Sequence, residues 1–402
     1  MDTKAILKTA LFTPGLNGWG LPLLFEGPPG VGKSGIMEGV GVEHGLEVKT
    51  IIASIREPSD FGGLPIPKKV GERQFVEYAP AMWAADMAES GRGLVFVDEL
   101  STVPPAVQKA LLRLVLNRAL GDFEFPKGVR FVAAQNAVAD AAGGWDLTPP
   151  LANRFGHLRW EMPTAEEWNE WLIGANGVGH AGASGFDPKA EEERVLAAWP
   201  KAFAMAKGAI SGFINVRSEL LYSMPAKGDA QRSKAWPSHR TWEMATRAMA
   251  GSQVHGLGAI DADDLIAAFV GTPAYAEFKI YESKLDLPDP EKLLDGEVSF
   301  KHDARRLDRT IAVLQSCAAF VTTGKLKQKK SRIPRLWTLL TEIAEIKGDG
   351  RKGADGPVDI TVPCVKAMVR ARGQGFLNFK EARPILNALQ PILAAAGITA
   401  GS

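Results

Sequence analysis

The stretch Gly27–Ser34, GPPGVGKS, constrains this chain more than any other. It fits G-x-x-x-x-G-K-[ST], it follows the apolar run LPLLFE, and the helix-like segment KSGIMEGVGVEHG overlaps its end and runs on from it. Strand, glycine-rich turn, then helix is the context that turns a pattern match into a phosphate-binding loop. Glycines let backbone N–H groups close around phosphate oxygens, and the helix N-terminus adds partial positive charge. Gly27, Pro28, Pro29, Gly30, Val31, Gly32, Lys33 and Ser34 are therefore the candidate phosphate-binding residues. Lys33 is placed to reach the β- and γ-phosphates, and Ser34 to ligate Mg2+.

Such a loop needs a sheet around its strand. Five apolar runs read as buried strands: LPLLFEG (Leu21–Gly27), VKTIIAS (Val48–Ser54), GLVFVDE (Gly93–Glu99), VRFVAAQN (Val129–Asn136) and GHLRWEM (Gly156–Met162). Near-continuous apolar strands separated by helical patterns predict an α/β fold of three layers, with a five-stranded parallel sheet covered on both faces. From Pro163 the strand signals stop. TAEEWNEWLIGA has helical spacing with Thr164 as N-cap, GANGVGHAGASGF is a glycine-rich loop, and helical patterns resume through RTWEMATRAMAG and DADDLIAAFVG. A proline-marked break, LDLPDPEKLL, precedes a further helix around Arg305–Val321, a basic run Lys325–Arg332 and a polar glycine-rich loop Lys347–Pro357.

Two further sites complete the phosphate chemistry. Asp98 and Glu99 close the strand LVFVDE, and strand ends are where open α/β sheets bind ligands. Asp98 is the candidate Mg2+ holder, directly or through water, and Glu99 the group that orients and activates an attacking water. Asn136 ends the next strand, FVAAQN, where an uncharged amide can hydrogen-bond a γ-phosphate or the water.

Taken in order, the phosphate loop, VDE, strand-terminal Asn136 and LANRF resemble an AAA+ ATPase, and within that superfamily the MoxR-like branch. The likeness rests on REPSDFGGLPIP, GLVFVDELSTVPPAVQKALLRL, ANRFG and PSHRTWEMATRA, and covers about Leu21 to Tyr281. It implies ATP and Mg2+ as cofactors and a homo-oligomer, a hexameric ring, hydrolysing ATP at subunit interfaces. It also implies a division into an ATPase core (1–162), an α-helical lid (163–285) and a mainly helical, partner-specific region (286–402). In relatives the arginine corresponding to Arg154 reaches into the neighbour's nucleotide site, where a planar guanidinium stabilises charge spread over the transferred phosphoryl group. Arg240 resembles the family's sensor-2 arginine, with Arg247 as the fallback; relatives often carry proline where His239 stands here. MoxR-like proteins insert an extra element where Arg56–Met87 lies, and Arg118–Phe131 reads as a hairpin. Tyr78, Phe123 and Phe125 in these segments either grip a partner chain or pack locally. The resemblance further implies remodelling or assembly of a partner protein bearing a von Willebrand factor A domain.

Composition removes other classes. A formal net charge of +1 over 402 residues exerts no global pull toward nucleic acid or anionic membrane. The basic run Lys325–Arg332 is short and lacks interleaved aromatics, so nucleic acid is not expected as a partner. No run approaches the ~20 apolar residues of a membrane span. Two cysteines without a CxxC and an N-terminus lacking a signal-peptide core fit a cytoplasmic setting. A nucleic-acid motor or restriction-type translocase subunit, and a nucleotide-gated scaffold, are the alternative readings. A continuous basic stripe would favour the first. Glu99, Asn136 and Arg154 argue against the second.

Overall fold

The strand that leads into the phosphate loop, β1 (Leu23–Glu26), lies inside a five-stranded parallel sheet. Its partners in the computed structural model are β2 (Val48–Ile52), β5 (Arg92–Asp98), β8 (Gly128–Gln135) and β9 (Gly156–Arg159). The spatial order is β2-β5-β8-β1-β9. Residues 1–137, 144–173, 185–323, 331–345, 358–372 and 374–395 are described. The glycine-rich stretch 174–184, most of the basic run and the loop at 347–357 lie outside them.

All five expected strands are present: β1, β2 and β9 are shorter than their apolar runs, while β5 and β8 keep the length of theirs, each beginning and ending one residue earlier. Strands β5 and β8 are buried along nearly their whole length, which continuous Val, Leu, Phe and Ala runs permit on both faces of a parallel sheet. Edge strand β2 is only partly buried. Register aligns the functional ends: Ile52 pairs with Asp98, Val97 with Ala133, and Glu26 with Gln135. The loop after β1, the acidic pair Asp98–Glu99 at the end of β5 and Asn136 after β8 thus emerge at the same edge of the sheet.

The chain divides into two compact units. The first comprises Met1–Val195 and Tyr222–Tyr275, so helices α9 (His239–His255) and α10 (Ala259–Val270) belong with the sheet. Helix α10 packs on β9 and on α9, and α9 meets α1 (Thr3–Leu11). One face of the sheet covers a core that includes Leu24, Val95, Val97, Leu111, Leu114, Ala133 and Phe155. The second unit, Leu196–Leu221 with Ala276–Ser402, has its own core around the fully buried Trp337, whose indole Nε1 donates to the Phe376 carbonyl at 2.9 Å. Helices Leu307–Thr322, Arg332–Ile343 and Val358–Arg372 supply most of it. Both cysteines are free and buried in that core, and burial pushes the Cys317 thiol up to about 12.

The segment expected to carry an extra element forms an antiparallel hairpin, β3 (Leu64–Val70) with β4 (Arg73–Ala79). A second, short hairpin joins β6 (Ala119–Leu120) to β7 (Phe123–Glu124). The three aromatics expected there part company. Phe125 is buried and stacks on Trp83 at 5.8 Å, and Phe123 is partly buried, edge-on to Phe125. Tyr78 is exposed. No helix among the described residues is long and apolar enough to cross a membrane.

Candidate nucleotide site

The phosphate loop turns through two left-handed glycines. Gly30 (φ 76°) and Gly32 (φ 81°) occupy backbone space that side chains rarely adopt, and a Cβ at either would meet nothing within 4 Å. The loop is thus strained for any other residue yet open on the side where a ligand would sit. Gly32 caps helix α2 (Lys33–Glu43), whose first turn directs its free N–H groups into the loop.

Lys33 is buried, and its Nζ donates to the carbonyls of Gly27 (2.9 Å) and Pro28 (2.8 Å) and to Asn136 Oδ1 (2.7 Å). One ammonium therefore ties the loop to the end of β8. Burial lowers its pKa from the ordinary lysine value, and the Asp98 carboxylate partly offsets this. Beside it, Ser34 Oγ donates to Asp98 Oδ2 at 2.7 Å. These two oxygens are hard ligands close enough to share one small cation. Among the described residues no cluster of three or more acidic, His or Cys side chains could hold a metal alone. That donor set fits Mg2+, which keeps several waters and completes its shell with substrate phosphates.

Glu99 follows Asp98 with φ 60°, a left-handed conformation uncommon for a residue with a side chain. Such a geometry costs on the order of 1–3 kcal/mol and concentrates at functional sites. Asp98 Oδ1 accepts from the Glu99 N–H at 2.8 Å, which fixes the turn. The exposed Glu99 carboxylate accepts a short hydrogen bond from Ser54 Oγ. Ser54 was not a sequence candidate. Its only signal is position: it follows the strand paired with the Asp98 strand.

Arg154 lies just after the short helix α6 (Pro149–Ala152), with Nη1 donating to the Pro150 carbonyl at 2.5 Å and a buried Nε that has no partner. Burial lowers its pKa, and the Arg240 guanidinium nearby lowers it further. Two cations therefore approach one another. No hydrogen bond or ion pair joins either to Lys33, Ser34, Asp98 or Glu99 among the described residues. The candidate residues thus fall into two groups, loop with Asp98, Glu99 and Asn136, and Arg154 with Arg240. Arg247, the fallback, donates to the carbonyls of Pro14 and Gly15 and pairs with Glu243.

Sequence reading also missed the base of the loop. Glu26 Oε2 accepts from Gln135 Nε2 (2.8 Å) and Lys234 Nζ (2.6 Å). Burial raises the pKa of Glu26, but the two bonds and the neighbouring Lys234 and His157 together hold it below the usual carboxylate value.

Fold and site together define an α/β domain of the phosphate-loop type. No protein-family profile matches the chain. It is similar in structure to a protein from Cytophaga hutchinsonii ATCC 33406 named as a "putative ATPase", with a TM-score of 0.44 and 14% sequence identity over 70% of this chain and 87% of that one.

Proposed function

We propose that this chain is an ATP-hydrolysing subunit of an AAA+ ring of the MoxR-like type. The observation that carries this reading is the convergence of Lys33, Asn136, Ser34 and Asp98 through bonds of 2.7 Å at adjoining strand ends. Phosphates of ATP would lie against the N–H groups of Gly27–Ser34, with Lys33 exchanging carbonyl partners for phosphate oxygens. Ser34 and Asp98 would hold Mg2+, which neutralises charge on the β- and γ-phosphates. Glu99 would accept the proton of the attacking water, held in register by Ser54. Asn136 would contact the γ-phosphate or that water.

Arg240 lies near enough to Arg154 to lower its pKa, the Arg154 Nε is buried without a partner, and among the described residues no hydrogen bond joins either arginine to the loop of their own chain. That supports a clamp on the γ-phosphate of an adjacent subunit, so a site is complete only in a homo-oligomer, by resemblance a hexamer in the cytoplasm. The division into core 1–162, lid 163–285 and partner-specific region 286–402 belongs to the same reading. So does a remodelled partner bearing a von Willebrand factor A domain.

The test separates binding from chemistry. Glu99→Gln keeps the side chain's shape and removes the base. ATP affinity should hold, while turnover falls by roughly 100-fold or more. Undiminished steady-state hydrolysis would remove Glu99 from the mechanism.

A further inference from the structure

The two groups of site residues are joined through a short piece of chain. Glu26, the last residue of β1, is followed directly by the phosphate loop. Its Oε2 is shared by Gln135 and Lys234. Gln135 in turn precedes Asn136, the acceptor of the Lys33 ammonium. The Glu26 carboxylate is thus the point where the loop's root, the end of β8 and a segment over 200 residues away in sequence meet.

From Lys234 the chain runs straight to the arginines. The Trp236 carbonyl accepts from Asn153 Nδ2 at 3.3 Å and from Thr241 Oγ1 at 3.1 Å. Ser238 Oγ donates to Asn153 Oδ1 at 2.8 Å. Asn153 is the residue before Arg154. Ser238 also caps α9, whose second residue is Arg240. Its capping box is reciprocal, Ser238 Oγ accepting from the Thr241 N–H and Thr241 Oγ1 from the Ser238 N–H. Trp236, Ser238 and Asn153 are buried. A packed, hydrogen-bonded piece of this kind shifts as a unit rather than deforming. Its polar link to the root of the phosphate loop, Glu26, is the partly exposed Lys234.

We infer that Lys234–Arg240 is a strap that makes the disposition of Arg154 and Arg240 depend on what occupies the chain's own phosphate loop, with Lys234 as its positioning residue. The inference rests on the proposed ATPase reading and deepens it. A phosphate that engages Lys33 competes with Asn136 Oδ1 for the ammonium. The end of β8 then relaxes, and Gln135 and Glu26 pass the change to Lys234. Since the arginine pair serves a neighbour's site, the strap links one nucleotide site to the next. Lys234 touches neither nucleotide nor reacting atoms. Its effect is coupling between sites.

The experiment measures ATP and ADP binding by calorimetry and hydrolysis against ATP concentration, for the full chain and two variants. Wild type should hydrolyse ATP with a Hill coefficient above 1. Lys234→Met should bind nucleotide within about twofold of wild type, drop to a Hill coefficient of about 1, and lose on the order of tenfold in kcat, the ordinary size of a coupling. Lys234→Arg, which can still reach Glu26, should restore both. A merely structural lysine would lower melting temperature without touching the Hill coefficient. Unchanged cooperativity and kcat in Lys234→Met overturn the strap, as does loss of nucleotide binding in that variant. Hydrolysis by wild type without cooperativity also overturns it, with the ATPase reading intact. A wild type that neither binds nor hydrolyses ATP instead removes the ATPase reading, and the strap with it.

Discussion

Glu192 stands near the start of helix Pro188–Val216 between two arginines, and its removal should be costly. Its Oε1 accepts from Arg130 Nη2 at 2.5 Å and Arg92 Nε at 3.3 Å; Oε2 accepts from Arg92 Nη2 at 2.9 Å. Arg130 sits in β8 with a side chain at 0% exposure, also donating to the carbonyls of Leu11 and Gly128 and lying 4.9 Å over the Phe12 ring. Burial lowers its pKa, and Glu192 pulls it back up. Arg92 is 22% exposed and can turn to water once Glu192 is gone. Arg130 cannot, so Glu192→Ala leaves a buried charge uncompensated. Losing one partner of such a pair costs about 3–5 kcal/mol. At about 2–4 °C per kcal/mol for a unit of this size, melting should fall by roughly 6–20 °C. Differential scanning calorimetry of wild type, Glu192→Ala and Arg130→Met/Glu192→Leu reads this directly. The double variant should recover most of the loss, because an apolar pair replaces the charges and strands none. A Glu192→Ala transition within about 2 °C of wild type would refute the reasoning.

Two other perturbations follow from the geometry. Burial holds the pKa of His157, whose Nε2 donates to the Ala152 carbonyl at 2.9 Å, down to about 4, with that bond and Glu26 raising it and Lys234 lowering it. The folded chain therefore binds fewer protons than the unfolded one between about pH 4 and the unfolded histidine value near 6.5. Stability should be full above that window and fall as pH drops through it, with His44 and His255 shifted in the same direction. Melting curves against pH should flatten in His157→Gln; an identical pH dependence would clear His157. For the arginine pair, Arg154→Ala and Lys33→Ala should each lack hydrolysis alone but regain some when co-assembled, because the second supplies an intact Arg154 to the first's intact loop. Mixed rings verified by native mass spectrometry but inert would count against action across the interface.

What could be read in advance was what burial and local chemistry write into consecutive residues. The five strands are continuous apolar runs because both faces of a parallel sheet are covered. Asp98, Glu99 and Asn136 stand where those runs stop. The β3–β4 hairpin was legible only as an inserted element. Leu64, Ile66, Phe75, Val76 and Tyr78 are all exposed, so no buried face imposes alternation, and Pro65 and Pro67 weaken the strand signal. Ser54, Gln135, Glu26 and Lys234 carry no local pattern. Their contacts span 45 to 208 residues, and only the folded sheet brings them together. The same is true of Arg130 and Glu192, charges that composition alone places on the surface.

The central claim is that Gly27–Ser34 binds the phosphates of ATP through Lys33. Calorimetric titration of Mg2+–ATP into wild type and Lys33→Ala tests it most directly. Lys33 contributes the loop's full positive charge and three of its hydrogen bonds, so wild type should bind and Lys33→Ala should show no measurable heat of binding. Near-equal affinity in the two proteins would contradict the assignment of the loop, and with it the ATPase reading.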